Sequence, residues 1–127
     1  MPLFGQIAAG IAGLLHVVFF LFESVLFRRP KIQRRFRVEP SAAEAVRPWA
    51  FNQGFYNLFL ALGCFAGLAA MHASVGLDAV TARAFVIFPC ACMVGAGAVL
   101  MGTDRRMARP AMMQLVPPLV ALVSLAL

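Results

Sequence analysis

Residues 2–27 read PLFGQIAAGIAGLLHVVFFLFESVLF, a hydrophobic run without a lysine or an arginine. Two of its side chains can ionise: His16 and, seven residues later, Glu23. About 20 apolar residues suffice for a helix to cross the ~30 Å hydrocarbon core of a bilayer. An ionisable group in such a segment costs roughly 2.5–3.5 kcal/mol on insertion scales, so it tends to face a protein interior or a wet cavity. The run therefore predicts a membrane-spanning helix that carries part of a polar site.

The whole chain has the composition of a membrane protein. Of its 127 residues, 62% are hydrophobic and 13% are charged, whereas soluble domains have about 45–50% and 25%. Its mean hydropathy is +0.87. Three further apolar blocks follow the first one, so the sequence predicts an all-α, antiparallel bundle of four transmembrane helices in a single domain, residues 1–127. The predicted spans are residues 3–27, 49–71, 84–102 and 111–127.

The basic residues are concentrated in two connectors. Ten of the eleven lysines and arginines lie in residues 28–48 and 103–110. Cytoplasmic loops of membrane proteins carry such an excess, so we expect both connectors in the cytoplasm and both termini outside, in a bacterial inner membrane. The net charge of +6 flanks apolar spans instead of covering one face, and nucleic acid is therefore not an expected partner.

The first connector contains further local signals. Ile32 and Phe36 share one face of a possible short helix among the basic residues, so this segment either lies on anionic headgroups or only fixes the topology. Ser41 and Glu44 have the spacing of a capping box at a helix start. Pro48 predicts a break or kink, and the following tryptophan suits the membrane interface.

The second span begins with its most polar residues, close to the level of Glu23 in the membrane. At ~1.5 Å rise per residue, helical spacing places Glu23, Asn52, Gln53 and Tyr56 in one layer of the cytoplasmic half, with Asn57 and His16 above it. Amide and hydroxyl groups can pair with a carboxyl group there. The predicted ligand-binding residues are His16, Glu23, Asn52, Gln53, Tyr56 and Asn57; no catalytic residue is assigned.

No metal site or cofactor is expected. Cys64, Cys90 and Cys92 lie in apolar blocks without a C-x-x-C pair, and we interpret them as small buried hydrophobic residues. His72 lies at the opposite end of the second span from the cytoplasmic connector, far from His16, so the two histidines do not form a metal pair.

The sequence Asn52-Gln-Gly-Phe-Tyr-Asn57, continuing Leu-Phe-Leu-Ala, resembles the signature of a bacterial integral-membrane family catalogued as domain of unknown function 1304. The family's first helix carries a histidine and, seven residues on, a glutamate, which match His16 and Glu23. The resemblance covers essentially the whole chain. It implies a four-helix fold in the inner membrane and no established activity.

Three functions are compatible with the sequence. The chain binds or transports a small amphipathic or cationic molecule, or a lipid, at the polar site around Glu23. Alternatively, it is an accessory subunit whose small-residue faces dock on partner helices. The third hypothesis is a membrane enzyme that acts on a lipid-like substrate with Glu23 and His16 as an acid/base pair. The expected partners are the lipid bilayer, a lipid or small amphipathic ligand, and a second copy of the chain in a homodimer.

Overall fold

The computed structural model describes residues 1–73 and 76–126. Within these residues the chain is helical and contains no strand, which confirms the all-α fold class. In chain order the elements are α1 (Leu3–Phe20), a π-helical turn (Leu21–Val25), α2 (Pro30–Arg35), a 3-10 turn (Pro40–Ala42), α3 (Ala43–His72), α4 (Ala79–Thr103), a 3-10 turn (Arg105–Met107), α5 (Ala108–Val123) and a last 3-10 turn (Ser124–Ala126).

Four helical segments are long and apolar enough to cross a membrane, as predicted. They are Leu3–Val25, Pro40–His72, Ala79–Thr103 and Arg105–Ala126. The last three begin before the predicted apolar blocks, because helix formation does not stop where the side chains become polar. At the start of α4, for example, the Asp78 carboxylate accepts hydrogen bonds from the backbone N–H and the hydroxyl of Thr81, at 2.8 and 2.9 Å. The side of the membrane on which each connector lies stays a prediction.

The start of the second span differs from the sequence expectation. Glu39 takes the N-cap position without a side-chain hydrogen bond, and Pro40 occupies the first helical position. Proline suits that position, since the first N–H groups of a helix have no helical acceptor. The predicted capping box of Ser41 and Glu44 is therefore wrong. Glu44 instead pairs with Arg47, with 3.3 Å between Oε2 and Nε.

Helix α3 is continuous from Ala43 to His72 although it contains Pro48. Of the predicted break or kink, the break is therefore wrong and the kink stays a prediction. The carbonyl that Pro48 leaves without its helical donor belongs to Glu44, which is exposed near the helix start, where water can replace the missing donor. The neighbouring Trp49 is 78% exposed, in agreement with an interfacial position.

Helix α1 buries a face that consists of small residues and His16. Gly5, Ala9, Ala12 and His16 are all buried. The large aliphatic residues are on the exposed side, among them Leu3, Ile7, Leu14 and Val18. Small residues allow helices to approach closely in a membrane, where apolar side chains gain little by leaving lipid.

The chain divides into two compact units, one of which consists of Met1–Leu15 and the described residues from Leu60 onward. In this unit, the Cys64 thiol donates a hydrogen bond to the Ala9 carbonyl, at 3.3 Å. Three glycines allow close helix contacts, because an added Cβ would meet a neighbouring helix or turn: Gly67 against Val86, Gly97 against Leu115 and Gly5 against Ser124. These contacts join α1 to α3, α3 to α4, α4 to α5, and the C-terminal turn to α1. The single domain of residues 1–127 stays a prediction.

The second unit, His16–Phe59, combines the end of α1, the π-helical turn, α2 and the beginning of α3. Ile32 of α2 is buried and Phe36 is half-buried, on the helical face that the two residues share. The guanidinium group of Arg35 lies 5.3 Å from the centroid of the Phe22 ring, a cation–π distance. These contacts fix the basic connector against the end of the first span.

Candidate functional site

Glu23 lies in the middle of the π-helical turn that follows α1. The Leu26 N–H donates to the Leu21 carbonyl at 2.8 Å, a bond across five residues instead of four. Such turns interrupt α-helices rarely and are frequent at functional sites. The backbone of the first span therefore changes from α-helical to π-helical at Glu23, the residue whose insertion into hydrocarbon costs the most free energy.

The Glu23 carboxylate receives a hydrogen bond from α3. Asn57 Nδ2 donates to Glu23 Oε2 at 2.7 Å. Asn57 is only 5% exposed, whereas Glu23 is half-buried. The sequence predicted that these two residues belong to one polar site, and the structure brings them into direct contact.

Gly54 allows the first and second spans to approach one turn away from this pair. A Cβ at Gly54 would overlap with the Ser24 hydroxyl and lie 3.1 Å from the Ser24 backbone nitrogen. The hydroxyl of Ser24 donates to the Phe51 carbonyl at 2.8 Å. Sequence reasoning missed Ser24, although its position directly after Glu23 and the glycine inside the Asn52–Asn57 motif were available signals.

Glu23 also lines a cavity of about 500 Å³ inside this unit, a volume in the usual range for small-molecule sites. Two of the predicted polar residues, Asn52 and Gln53, line the same cavity. Its remaining walls are apolar or aromatic: Phe27, Phe36, Val38, Val46, Trp49 and Ala50. The cavity therefore combines one carboxylate and two amides with three aromatic rings. The aromatic residues were not among the predicted site residues.

Three predicted site residues do not line this cavity: Asn57, which instead binds the Glu23 carboxylate, Tyr56 and His16. Tyr56 is 58% exposed; it lies two residues from Gly54, about 200° around the helix from the face that contacts Ser24. The structure therefore does not bring Tyr56 to the cavity around Glu23. His16 is fully buried and packs edge-on against Phe19, with 5.4 Å between the ring centroids.

The charge of Glu23 is not balanced by a basic side chain in the described part of the chain. The ion pairs described there join Arg47 to Glu44 and Arg106 to Asp104. Among the same residues no group of three side chains is arranged to hold a metal ion. The site can thus accept hydrogen bonds or a positive charge from a molecule that occupies the cavity.

These features define a helical membrane protein with four spans and a small polar cavity at the end of the first. Residues 10–126 match the model of a family described as protein of unknown function, DUF1304. The chain therefore belongs to the DUF1304 family. No curated protein and no solved structure matches it.

Proposed function

We propose that this chain is a multi-pass protein of the bacterial inner membrane that binds or transports a small amphipathic cation at the cavity around Glu23. One observation carries the proposal. A carboxylate without an ion-pair partner among the described residues lines a 500 Å³ cavity whose other walls are largely aromatic and apolar.

A contribution to the stability of the fold does not by itself explain why a glutamate lies at position 23. Hydrogen bonds between membrane helices contribute about 0.6 kcal/mol on average, whereas insertion of a carboxylate costs roughly 2.5–3.5 kcal/mol. The bond from Asn57 thus offsets only a fraction of that cost. A bound cation would offset more of it, because the attraction between opposite charges is strong where water is scarce.

The cavity walls favour an amphipathic cation over a small hydrated one. Aromatic rings attract cations through their faces, and Trp is the strongest of them. Phe27, Phe36 and Trp49 supply such rings beside Glu23. The basic connector repels cations at long range, but salt screens exposed charges beyond about 10 Å at 0.1 M ionic strength. Once the cation is inside the cavity, its attraction to Glu23 therefore outweighs its repulsion by the basic connector.

Trp49 provides a direct test, because it is the chain's one tryptophan and lines the cavity. We would titrate the purified protein with tetraphenylphosphonium, a lipophilic cation, and follow tryptophan fluorescence. We expect Glu23→Gln to weaken binding at least about tenfold, since ~1.4 kcal/mol of lost attraction corresponds to a factor of ten. Glutamine keeps the side-chain size and can still accept the Asn57 hydrogen bond.

Glu44→Gln is the matched control. It removes one negative charge from the same unit, but Glu44 is exposed and does not line the cavity, so its affinity should equal that of the wild type. Equal affinity of the wild type and of Glu23→Gln, with both proteins folded by circular dichroism, would contradict the proposal.

An accessory role is the second candidate, and one observation favours it. The exposed side of α4 carries the small residues Ala91, Gly95, Ala98 and Gly102, and a Cβ at either glycine would meet nothing within 4 Å. Such faces allow close docking of another helix, from a partner or a second copy of the chain. Under this reading the tetraphenylphosphonium titration gives no saturable signal with either protein.

A further inference from the structure

A second cavity lies in the connector between the first two spans, and it has a different character. Its volume is about 690 Å³, and it is lined by Pro30, Gln33, Arg34, Arg37, Val38, Glu39 and Pro40. Two arginines and one glutamate give its wall a net positive charge. We propose that this groove, which we call the arginine groove, binds a phosphate group, with an anionic phospholipid headgroup as its natural source.

The backbone at Arg37 is the first observation in favour of this site. Arg37 has φ 57°, and among the described residues no other residue except glycine has a positive φ. It ends α2 in a Schellman motif, in which its N–H donates to the Arg34 carbonyl at 3.1 Å and the Val38 N–H donates to the Gln33 carbonyl at 2.9 Å. Glycine is the usual residue at this position, because other side chains are strained there. An arginine at a position that favours glycine points to a use for its side chain.

The partners of the neighbouring basic residues are the second observation. Arg35 lies over the Phe22 ring, and Arg47 pairs with Glu44. Among the described residues neither Arg34 nor Arg37 forms an ion pair, although Glu39 lines the same groove. Guanidinium groups bind phosphate through two parallel hydrogen bonds, and both arginines remain available for this geometry.

The position of the groove indicates which phosphate it meets. The first candidate span ends at Val25 and the second begins at Pro40, so residues 30–39 lie at the level where the hydrocarbon ends. Ile32 anchors α2 through its buried side chain. A basic groove at this level faces phospholipid headgroups, each nearby arginine adding attraction to anionic lipids.

The test measures lipid binding by native mass spectrometry of the full chain, titrated with phosphatidylglycerol or with phosphatidylcholine of the same acyl chains. We expect the wild type to prefer phosphatidylglycerol. Attraction of about 1 kcal/mol per basic residue corresponds to about fivefold in affinity. The double variant Arg34→Gln/Arg37→Gln should therefore lose most of the preference.

Arg28→Gln/Arg29→Gln is the matched control, since it removes two exposed charges of the same connector that do not line the groove. We expect it to lose much less of the preference than the groove variant. A loss as large as that of the groove variant would overturn the proposal, because the connector would then act only through its total charge.

Arg37→Gly separates binding from folding. Glycine accepts φ 57° without strain, so this variant should unfold at the same temperature as the wild type or higher while its affinity for phosphatidylglycerol falls about fivefold. Unchanged affinity would overturn the proposal.

Displacement of phosphatidylglycerol by millimolar inorganic phosphate would support the phosphate site and assign it to a soluble phosphate, whereas no displacement would assign it to the lipid.

Discussion

Gly54 is the residue on which the close contact beside Glu23 depends. We expect Gly54→Ala to lower thermal stability, because the added methyl group overlaps with the Ser24 hydroxyl and approaches the Ser24 backbone. Overpacking of this kind costs about 1–3 kcal/mol. Ser24→Ala in the same chain should restore part of the loss, since it removes the hydroxyl but leaves the backbone contact. The measurement is a double-mutant cycle by thermal unfolding in detergent.

Gly95→Ala is the control for this cycle. A Cβ at Gly95 would meet nothing within 4 Å, and alanine favours helix over glycine by about 0.8–1.0 kcal/mol in soluble peptides. We therefore expect no loss of stability. If both alanine variants lose the same stability, the effect of Gly54→Ala comes from the helix backbone and not from contact with Ser24.

The sequence grouped Glu23 and Asn57 in one polar site, but depth counting placed Asn57 above the layer of Glu23. Their direct hydrogen bond was therefore not predicted. Counting does not give the rotation of each helix about its axis, so it could not show that Tyr56 lies outside the cavity that Asn52 and Gln53 line. The π-helical turn at Leu21–Val25 was not predicted, because apolar length does not distinguish a π-helical turn from an α-helical one.

At the scale of the element, apolar length predicted that four helices are long enough to cross a membrane, but not where they begin. Their starts depend on single capping contacts and on proline. Pro40 begins the second span as its first helical residue, and Pro48 is accommodated within α3. The first outcome depends on N–H groups that have no helical acceptor, and the second on a carbonyl group that can reach water. Neither follows from the apolar pattern.

The cap of α4 makes its first turn sensitive to acid. Hydrogen bonds from the backbone and the hydroxyl of Thr81 lower the pKa of Asp78 below its usual 3.8. A lowered pKa means that the ionised form stabilises the fold. This contribution is fully present above pH 3.8 and is lost as the pH falls through the lowered pKa. We expect the first amides of α4 to lose protection there, measured by hydrogen exchange at pH 6 and pH 2.5 with correction for intrinsic rates.

Asp78→Asn is the control for this acid sensitivity. Asparagine is an effective cap but does not titrate, so the first turn should be protected to the same extent at both pH values. Equal protection of the wild-type turn at pH 6 and pH 2.5 would show that Asp78 does not stabilise the helix start through its charge.

At the scale of the whole molecule, charge asymmetry predicts how the chain is oriented in the membrane. The connectors 28–48 and 103–110 carry ten of the eleven basic residues, and the spans on either side of them are now defined. If both connectors are cytoplasmic, the arginine groove faces the anionic lipids of the inner leaflet, and Glu23 opens toward the same side. The two proposed sites therefore depend on one orientation.

Fusions at the C-terminus test this orientation. We expect alkaline phosphatase fused after Leu127 to be active and green fluorescent protein at the same position to be dark, because the first folds outside the cytoplasm and the second inside it. Substitution of Arg105, Arg106 and Arg109 by glutamine should leave both results unchanged, since the first connector retains seven basic residues and the first helices usually dominate topology. A fluorescent fusion with inactive phosphatase would place the connectors outside. The arginine groove would then face the outer leaflet, where the positive-inside rule gives no reason for basic residues. The proposal of an anionic headgroup as its ligand would then lose its physical basis.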